Sequence, residues 1–260
     1  MTSGAVLERT VDELQVRVFS DADALARTAA VDATAALRAA IGARGSANAM
    51  FASGNSQLRF LHALAHVEDV DWARVVAFHM DEYVGIGSDH PASFHRYMQE
   101  QVARPLRLGD FHYLDGATDP VEEAARYAAL LRRYPIDVCC LGIGENGHLA
   151  FNDPPVAEFD DPLDVKVVTL DDACRRQQVG EGHFATVDDV PAQAITVTIP
   201  ALLRADRVLA IVPEARKREP VGRALLARIS PACPASILRR SPNATLYLDR
   251  ESSSLLGMHE

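Results

Sequence analysis

The sequence predicts one α/β domain over residues 1–260, built as a doubly wound, mostly parallel sheet with helices on both faces. Short apolar segments of strand type alternate with longer segments of helical periodicity, as in sheets whose two faces are covered. A chain of 260 residues can bury one large core. No fixed-period repeat, low-complexity tract or long Gly/Ser/Pro linker divides it, so we expect a Rossmann-like arrangement.

The predicted strands are short runs rich in valine, isoleucine and leucine. Residues 14–19 alternate apolar and polar side chains, which is typical of a strand with one buried face. Residues 136–142 are almost continuously apolar, which indicates a central strand buried on both faces. The other predicted strands cover residues 48–52, 75–80, 165–170, 194–199, 208–212 and 245–248.

The predicted helices show helical spacing of apolar side chains or begin with proline. Between residues 25 and 41 such side chains recur every four residues, which gives one long helix a buried stripe. Segments 91–102 and 120–133 begin with proline, whose fixed φ suits the first helical turn. Two further helices are predicted over residues 56–67 and 213–227.

The charge balance argues against partners that need a basic surface. The chain has 26 Lys and Arg residues against 36 Asp and Glu residues, a formal net charge of −10. We therefore expect no nucleic-acid or membrane partner, although a few local donors can still hold a small anion. Residues 1–14 lack the apolar run of a secretory signal, and no segment is long enough to span a bilayer, so a cytoplasmic protein is expected.

A run of small polar residues follows the predicted strand 48–52. Ser53 and Ser56 supply hydroxyls, while Gly54 and Asn55 tolerate left-handed backbone. The free N–H groups and positive dipole end of the following helix favour an anion such as phosphate. An ordinary helix N-cap has the same composition, so this run alone does not decide between the two.

Two adjacent carboxylates, Asp81 and Glu82, follow the predicted strand 75–80. Neighbouring side chains on extended backbone point in opposite directions, so one can enter a cleft while the other braces the loop. A carboxylate at the mouth of an apolar sheet loses solvation, and its raised pKa makes it a usable base. The alternative is a solvated loop carboxylate or a helix N-cap.

A glycine-rich segment, residues 142–154, directly follows the predicted central strand. His148 can carry a proton either way near neutral pH, and Asp153 can hold its second ring nitrogen. Asn146 can bond a hydroxyl or orient the ring. The alternative is a structural histidine in a tight turn.

No metal site is predicted. The four cysteines include no Cys-x-x-Cys pair, and His62 and His66 lack the glutamate of a His-Glu-x-x-His motif. We expect the cysteines to be reduced and buried, and the two histidines to lie on the surface.

Two motifs together resemble those of the glucosamine-6-phosphate deaminase family. They are residues 80–85 (Met-Asp-Glu-Tyr-Val-Gly) and residues 144–154 (Gly-x-x-Gly-His-x-Ala-Phe-Asn-Asp-Pro), in the family's order and spacing. The resemblance extends over about residues 48–248. It implies an enzyme that isomerises and deaminates a hexosamine 6-phosphate without a cofactor, most simply glucosamine-6-phosphate and water to fructose-6-phosphate and ammonia.

The resemblance also implies catalytic roles for residues of this chain. Asp81 matches the base that moves a proton between sugar C2 and C1, and His148 matches the residue that opens the pyranose ring. Asp153, usually a glutamate in the family, supports His148, and Asn146 is tied to ring opening.

The implied phosphate site combines the run after strand 48–52 with one lysine. Its residues are Ser53, Gly54, Asn55, Ser56 and Lys217. Residues 174–184 stand where the family has a mobile lid with a phosphate-binding arginine, and either Arg175 or Arg176 can take that role.

Other functions remain open at this point. A 6-phosphogluconolactonase has a similar fold, but that family usually shows Asp-Glu-Arg and Gly-His-Thr-Ala where this chain has residues 81–83 (Asp-Glu-Tyr) and 147–150 (Gly-His-Leu-Ala). A galactosamine-6-phosphate isomerase fits the same motifs. A sugar-phosphate sensor would need the phosphate loop but not the catalytic residues. By analogy, a homo-oligomer is plausible.

Overall fold

The computed structural model describes residues 4–180 and 182–257. Its strands are β1 (Leu7–Val11), β2 (Leu14–Phe19), β3 (Ala47–Phe51), β4 (Val75–His79), β5 (Asp81–Tyr83), β6 (Asp110–His112), β7 (Val138–Leu141), β8 (Val165–Thr169), β9 (Gln193–Val197), β10 (Arg207–Val212) and β11 (Ala244–Asp249). All eight strands predicted from the sequence are present, with bounds that differ by at most two residues.

The α-helices are α1 (Ala22–Arg44), α2 (Leu58–Ala65), α3 (Phe94–Met98), α4 (Arg104–Leu106), α5 (Pro120–Arg133), α6 (Asp172–Gly180), α7 (Ile199–Leu203) and α8 (Arg218–Leu226). A π-helical segment, Gln99–Ala103, joins α3 to α4. Short 3-10 helices cover Asn55–Gln57, Trp72–Arg74, Val187–Asp189, Ala215–Lys217 and Pro234–Arg240.

One predicted helix starts at the wrong residue. The helix expected from Pro91 begins at Phe94, because Ser93 is its N-cap and the Ser93 hydroxyl accepts a hydrogen bond from Arg96 N–H. A serine hydroxyl at the N-cap can accept a hydrogen bond from an N–H group of the first helical turn, whereas a proline side chain has no acceptor atom. The helix expected over residues 120–133 has those bounds, with Asp119 as its N-cap.

The main sheet has eight strands in the order β1-β2-β11-β10-β7-β3-β4-β6. In this order, all neighbouring strands from β2 across the sheet to β6 are parallel, and the edge strand β1 is antiparallel to β2. From β3 the chain builds outward through β4 to β6, and from β7 it builds the other way through β10 to β11. The strand order therefore reverses between β3 and β7, and the loops that follow such strands form the usual ligand site of this architecture.

Helices cover both faces of this sheet, which confirms the predicted doubly wound class. One apolar cluster joins the sheet to α1, α2 and the segment from α3 to α4. The other joins the opposite face to α5, α7 and α8. All four cysteines are free and buried, as expected from their spacing.

A second, three-stranded antiparallel sheet was not predicted. It has the order β5-β9-β8, so β8 and β9 leave the main sheet although the sequence predicts them as strands. Their apolar side chains pack partly in the main core and partly in a small separate cluster with Tyr83 and Phe94. This sheet holds Asp81 and Glu82 in place, since β5 contains both.

No helix within residues 4–180 and 182–257 is long and apolar enough to cross a bilayer. Of residues 1–14, for which the sequence predicts neither a signal nor a span, the first three lie outside the described residues.

Candidate active site

A cleft with about 590 Å³ of empty space, open to solvent, lies at the carboxyl edge of the main sheet where the strand order reverses. Loops after β3, β4, β7 and β10 form its walls, and residues within and just after α6 help to close it. Its lining includes Ser53, Gly54, Ser56, Asp81, His148 and Lys217, all predicted from the sequence.

The turn after β3 forms the first wall. Gly54 has φ 106° and ψ 157°, a conformation that side-chain-bearing residues rarely adopt, and the 3-10 helix Asn55–Gln57 follows it. Tyr97 Oη donates to Gly54 O at 3.0 Å and fixes this backbone from the side of α3. Among the described residues that line the cleft, Ser53 and Ser56 present hydroxyls, whereas Asn55 lies outside the lining.

The turn after β10 forms the facing wall. The 3-10 helix Ala215–Lys217 ends at Lys217, which is 4% exposed and lines the cleft. The two turns thus bring hydroxyls and an ammonium group to one space, although more than 150 residues separate them in sequence. Hydroxyls, backbone N–H groups at helix starts and a lysine are groups that bind phosphate.

Asp81 is the buried carboxylate of the cleft. It is 6% exposed, and within the described part of the chain its Oδ1 atom has no hydrogen-bond partner. Burial, followed by the nearby negative charges of Glu82 and Asp153, raises the pKa of Asp81 to about 8. The side chain is therefore a proton carrier in a poorly solvated position, as a general base requires.

Glu82 points away from the cleft, as alternation along an extended strand predicts. Its carboxylate accepts hydrogen bonds from the N–H groups of Tyr83, Phe94 and His95 and from the Ser93 hydroxyl. Burial raises its pKa although these four donors oppose the shift. Glu82 therefore braces β5 against the first turn of α3.

Two glycines of the loop after β7 stand where a larger residue would clash, and one of them makes room for His148 at the cleft. A Cβ atom at Gly144 would overlap the His148 ring. Gly147 has φ 93°, and a Cβ there would lie 2.7 Å from Cys233 Sγ. Gly144 is thus required by the packing of His148, whereas Gly147 is required by its backbone conformation and its contact with Cys233.

His148, Asp153 and Asn146 form one hydrogen-bonded group. His148 Nδ1 lies 2.9 Å from Asp153 Oδ1, which also accepts a hydrogen bond from Asn146 Nδ2 at 2.7 Å. Asn146 Oδ1 in turn accepts from His148 N–H at 3.0 Å. Burial acts to raise the pKa of Asp153, but the contacts with His148 and Asn146 outweigh it, and the pKa is lowered.

This group has a defined chemical consequence. An ionised Asp153 at Nδ1 favours a proton on that nitrogen and leaves Nε2 to exchange protons with a ligand. Asp153 is one methylene shorter than the glutamate that is usual in the family, but its Oδ1 atom still lies 2.9 Å from His148 Nδ1, so no water is needed to bridge them. Of the three residues, His148 lines the cleft, while Asn146 and Asp153 are placed behind it.

Neither arginine proposed for the lid reaches the cleft. Arg175 Nη2 donates to the carbonyl oxygens of Val187 at 2.6 Å and Val190 at 3.2 Å, which is a structural brace. Arg176 lies 4.0 Å from Asp172 on the exposed side of α6. Residue 181 of the same segment lies outside the described residues.

The same segment instead contributes polar residues that the sequence analysis missed. Gln177, Gln178 and His183 line the cleft. Gln178 Oε1 accepts a hydrogen bond from the Tyr83 hydroxyl at 2.6 Å, which orients its amide. Helical spacing places Gln177 and Gln178 on a short polar helix, but no local pattern shows which side of it faces the cleft.

Comparison with known proteins agrees with the geometry. Residues 20–247 match the family model described as glucosamine-6-phosphate isomerases/6-phosphogluconolactonase. A glucosamine-6-phosphate deaminase of Exiguobacterium sibiricum is 38% identical over 191 residues, 72% of this chain and 73% of that protein. One from Bacillus thuringiensis is 36% identical over 205 residues, 78% of this chain and 76% of that protein.

Solved structures show the same fold. A monomeric glucosamine-6-phosphate deaminase superposes with a TM-score of 0.83 and 28% identity, covering 92% of this chain and 99% of that one. A 6-phosphogluconolactonase from Shewanella baltica has a TM-score of 0.76 at 20% identity, covering 93% and 100%, and shares the fold. The family inferred from the two sequence motifs is confirmed, and the chain belongs to the glucosamine-6-phosphate isomerase/6-phosphogluconolactonase family.

Proposed function

We propose that the protein is an enzyme that converts glucosamine-6-phosphate and water to fructose-6-phosphate and ammonia. One observation carries the proposal: Asp81 and His148 open into the same cleft as the two turns that present Ser53, Ser56 and Lys217. A base, a second acid/base group and an anion site therefore meet in one cleft. The deaminases at 36–38% identity support this choice within the family.

Asp81 is assigned the proton transfer between two carbon atoms. As a carboxylate it takes the proton from sugar C2 and returns it to C1, which turns the 2-amino aldehyde into a 2-imine. Water then hydrolyses the imine, and the C2 ketone and ammonia leave. One carboxylate on one face of the substrate can perform both transfers, and burial keeps water from competing for it.

His148 is assigned ring opening. Its Nε2 accepts the proton of the C1 hydroxyl or returns one to the ring oxygen, while Asp153 holds Nδ1 and stabilises the imidazolium that forms. Asn146 positions both partners through its two hydrogen bonds. With Nδ1 held by Asp153, the Nε2 atom can exchange protons with both oxygen atoms of the hemiacetal, the C1 hydroxyl and the ring oxygen.

The phosphate anchor uses the two turns. Ser53, Gly54, Asn55 and Ser56 would supply hydroxyls and backbone N–H groups, and Lys217 would supply a positive charge. Binding energy from this remote group orients C1 and C2 at the base. The chemistry assigned to these side chains calls for no organic cofactor. Since a phosphorylated sugar does not cross a bilayer unaided, we expect the enzyme to work in the cytoplasm.

The direct test is to incubate the purified protein separately with glucosamine-6-phosphate, galactosamine-6-phosphate and 6-phosphogluconolactone, and to measure ammonia, ketose phosphate and lactone hydrolysis. We expect ammonia and fructose-6-phosphate from the gluco sugar. Ammonia from the galacto sugar alone would change the substrate but keep the mechanism. Lactone hydrolysis alone would contradict the proposal.

Asp81→Asn should abolish turnover and leave substrate binding almost intact, because the amide keeps the shape of the carboxylate but cannot take the C2 proton. Turnover is followed as ammonia release, and binding as protection against thermal unfolding by glucosamine-6-phosphate. Near wild-type turnover in this variant would remove Asp81 from the role of base.

The pH profile provides a second check on the same residue. Because the pKa of Asp81 is raised to about 8, its ionised form declines as the pH falls below that value. We therefore expect kcat/KM to drop about tenfold per pH unit on the acidic side, since this constant reports the free enzyme. A flat kcat/KM between about pH 6 and pH 8 would contradict the assignment.

A further inference from the structure

Three side chains with different metal-binding atoms meet behind the cleft. The ligand atoms of His148, Asp153 and Cys174 all lie within 4.8 Å of one another. Asp153 and Cys174 are each 1% exposed, and the His148 side chain is 12% exposed at the cleft wall. The mechanism proposed above uses the first two side chains and leaves Cys174 without a role.

Cys174 belongs to α6, whereas the other two side chains belong to the loop after β7. Its backbone N–H donates to Asp171 Oδ1 at 2.6 Å, which fixes the start of α6 and with it the position of the thiol. The next turn of α6 presents Gln177 and Gln178 to the cleft. A bond to the Cys174 sulfur would therefore tie this helix to the catalytic loop.

Imidazole nitrogen, carboxylate oxygen and thiolate sulfur are the three ligand types that zinc uses in proteins. Zinc bonds of about 2.0–2.3 Å place the ligands of one tetrahedral site roughly 3–4 Å apart, so atoms within 4.8 Å of one another need shifts of at most about 1 Å. A fourth position facing the cleft would be open to water.

The carboxylate supplies the second observation. Within the described residues, Asp153 Oδ2 is buried and has no hydrogen-bond partner of ordinary geometry, and the Cys174 thiol lies close enough to help lower the pKa of this carboxyl group. Asn146 Nδ2 donates to the other oxygen, Oδ1, at 2.7 Å and orients the group. Partners of this kind orient and strengthen a metal ligand.

We propose that His148, Asp153 and Cys174 form an inhibitory site for a thiophilic divalent cation, with Zn²⁺ as its natural occupant. On binding, the Cys174 thiol releases its proton to solvent, and the cation replaces any proton on the imidazole nitrogen that it occupies. His148 can then no longer exchange protons with a sugar, and α6 is held to the loop. The inhibition rests on the proposed function of His148, while cation binding does not.

Binding is tested with Zn²⁺ alone on the full chain, by competition with a chromophoric chelator. We expect one Zn²⁺ per chain with high affinity, and Cys174→Ser should weaken it about tenfold or more, because a hydroxyl is a poor zinc ligand. Cys233→Ser is the matched control: this thiol is also buried and packs against Gly147 of the same loop, but it lies outside the cluster. It should leave the affinity unchanged.

Co²⁺ gives a readout that is independent of affinity and activity. Bound through Cys174, it should show thiolate-to-cobalt charge-transfer absorption in the wild type and in Cys233→Ser, but not in Cys174→Ser. The exposed pair His62 and His66 offers no sulfur, so ions bound there cannot give this band. Absence of the band in the wild type would overturn the site even if Cys174→Ser failed to fold.

The inhibitory part is tested by ammonia release from glucosamine-6-phosphate with and without Zn²⁺. We expect loss of turnover at one equivalent and recovery on chelation. Full turnover with the site occupied would overturn inhibition. If the protein released no ammonia from any amino sugar, the proposed function would fail, but the Zn²⁺ and Co²⁺ results would still decide the site.

Discussion

The turn after β3 and the turn after β10 follow the same backbone path. Each strand is followed by a residue with positive φ, then one 3-10 turn, then a helix: Gly54 has φ 106° and ψ 157°, and Glu214 has φ 83° and ψ 145°. Gln57 N–H donates to Gly54 O, and Lys217 N–H donates to Glu214 O, both at 3.0 Å. The two turns lie on opposite sides of the loop after β7 and enclose the cleft.

Equivalent positions in the two turns carry different chemistry. Gln57 and Lys217 both end the 3-10 turn, both line the cleft, and are 1% and 4% exposed. Gln57 Nε2 donates to the carbonyl oxygen of Ile211 in β10 at 3.1 Å, so it joins the two walls. The same backbone turn therefore positions a neutral amide that bonds to the opposite wall in one case and a charged ammonium group in the other.

The residue with positive φ also differs. Glycine adopts this backbone at no steric cost, whereas Glu214 adopts it at a cost of about 1–3 kcal/mol. Glu214 N–H donates to Asp249 Oδ2 at 3.0 Å, and the Glu214 carboxylate accepts a hydrogen bond from Arg216 Nε at 2.7 Å. The turn that carries the cation is therefore strained and held by its neighbours, whereas the turn that carries the hydroxyls is relaxed.

The largest effect is expected when the second turn is given the side chain of the first. Lys217→Gln should raise KM for glucosamine-6-phosphate about 10- to 100-fold and change kcat little, because a charge-assisted contact to the phosphate is lost. Steady-state kinetics measure both constants. Arg218→Gln, which removes an exposed positive charge from the next residue, is the control and should leave KM unchanged. An unchanged KM for Lys217→Gln would remove Lys217 from the phosphate site.

The next effect tests the relaxed turn. Gly54→Ala should lower the free energy of unfolding by about 1–3 kcal/mol, because a Cβ atom is disfavoured at this φ and ψ. Urea denaturation measures the change. Gly42→Ala is the control: it lies within α1, where no atom within 4 Å meets the added carbon, and it should be neutral or stabilising by up to about 1 kcal/mol. Equal effects of both substitutions would show that the Gly54 backbone is not constrained.

The smallest effect separates backbone strain at Glu214 from its ion pair. Glu214→Gly and Glu214→Ala both remove the carboxylate, but only glycine relieves the backbone. We expect the glycine variant to unfold with a free energy about 1 kcal/mol higher than the alanine variant, the reverse of the order at ordinary positions. Denaturant melts of the two variants give the difference. A more stable alanine variant would mean that Glu214 is not strained.

The sequence predicted elements whose cause is local. Apolar patterning located six of the eight strands of the main sheet: β2, β3, β4, β7, β10 and β11. It also located the long helices, because one buried face imposes a fixed spacing of apolar side chains. The edge strand β1 (Leu-Glu-Arg-Thr-Val) and the three-residue β6 were missed, since they bury little and carry no such spacing. Sequence alone also predicted the Asp81 and Glu82 alternation and a glycine-rich turn around His148.

Tertiary structure decided what depends on residues distant in sequence. It moved β8 and β9 into a separate sheet and brought Gln178 and His183 to the cleft. It also placed Cys174 behind the cleft and kept Arg175 and Arg176 away from it. It also set the pKa of Asp81, which is raised first by burial, then by the charge of Glu82 and then by that of Asp153, a residue distant in sequence. Local patterns determine which residues form helices and strands, whereas burial, charge and strain at a site arise only where separate segments meet.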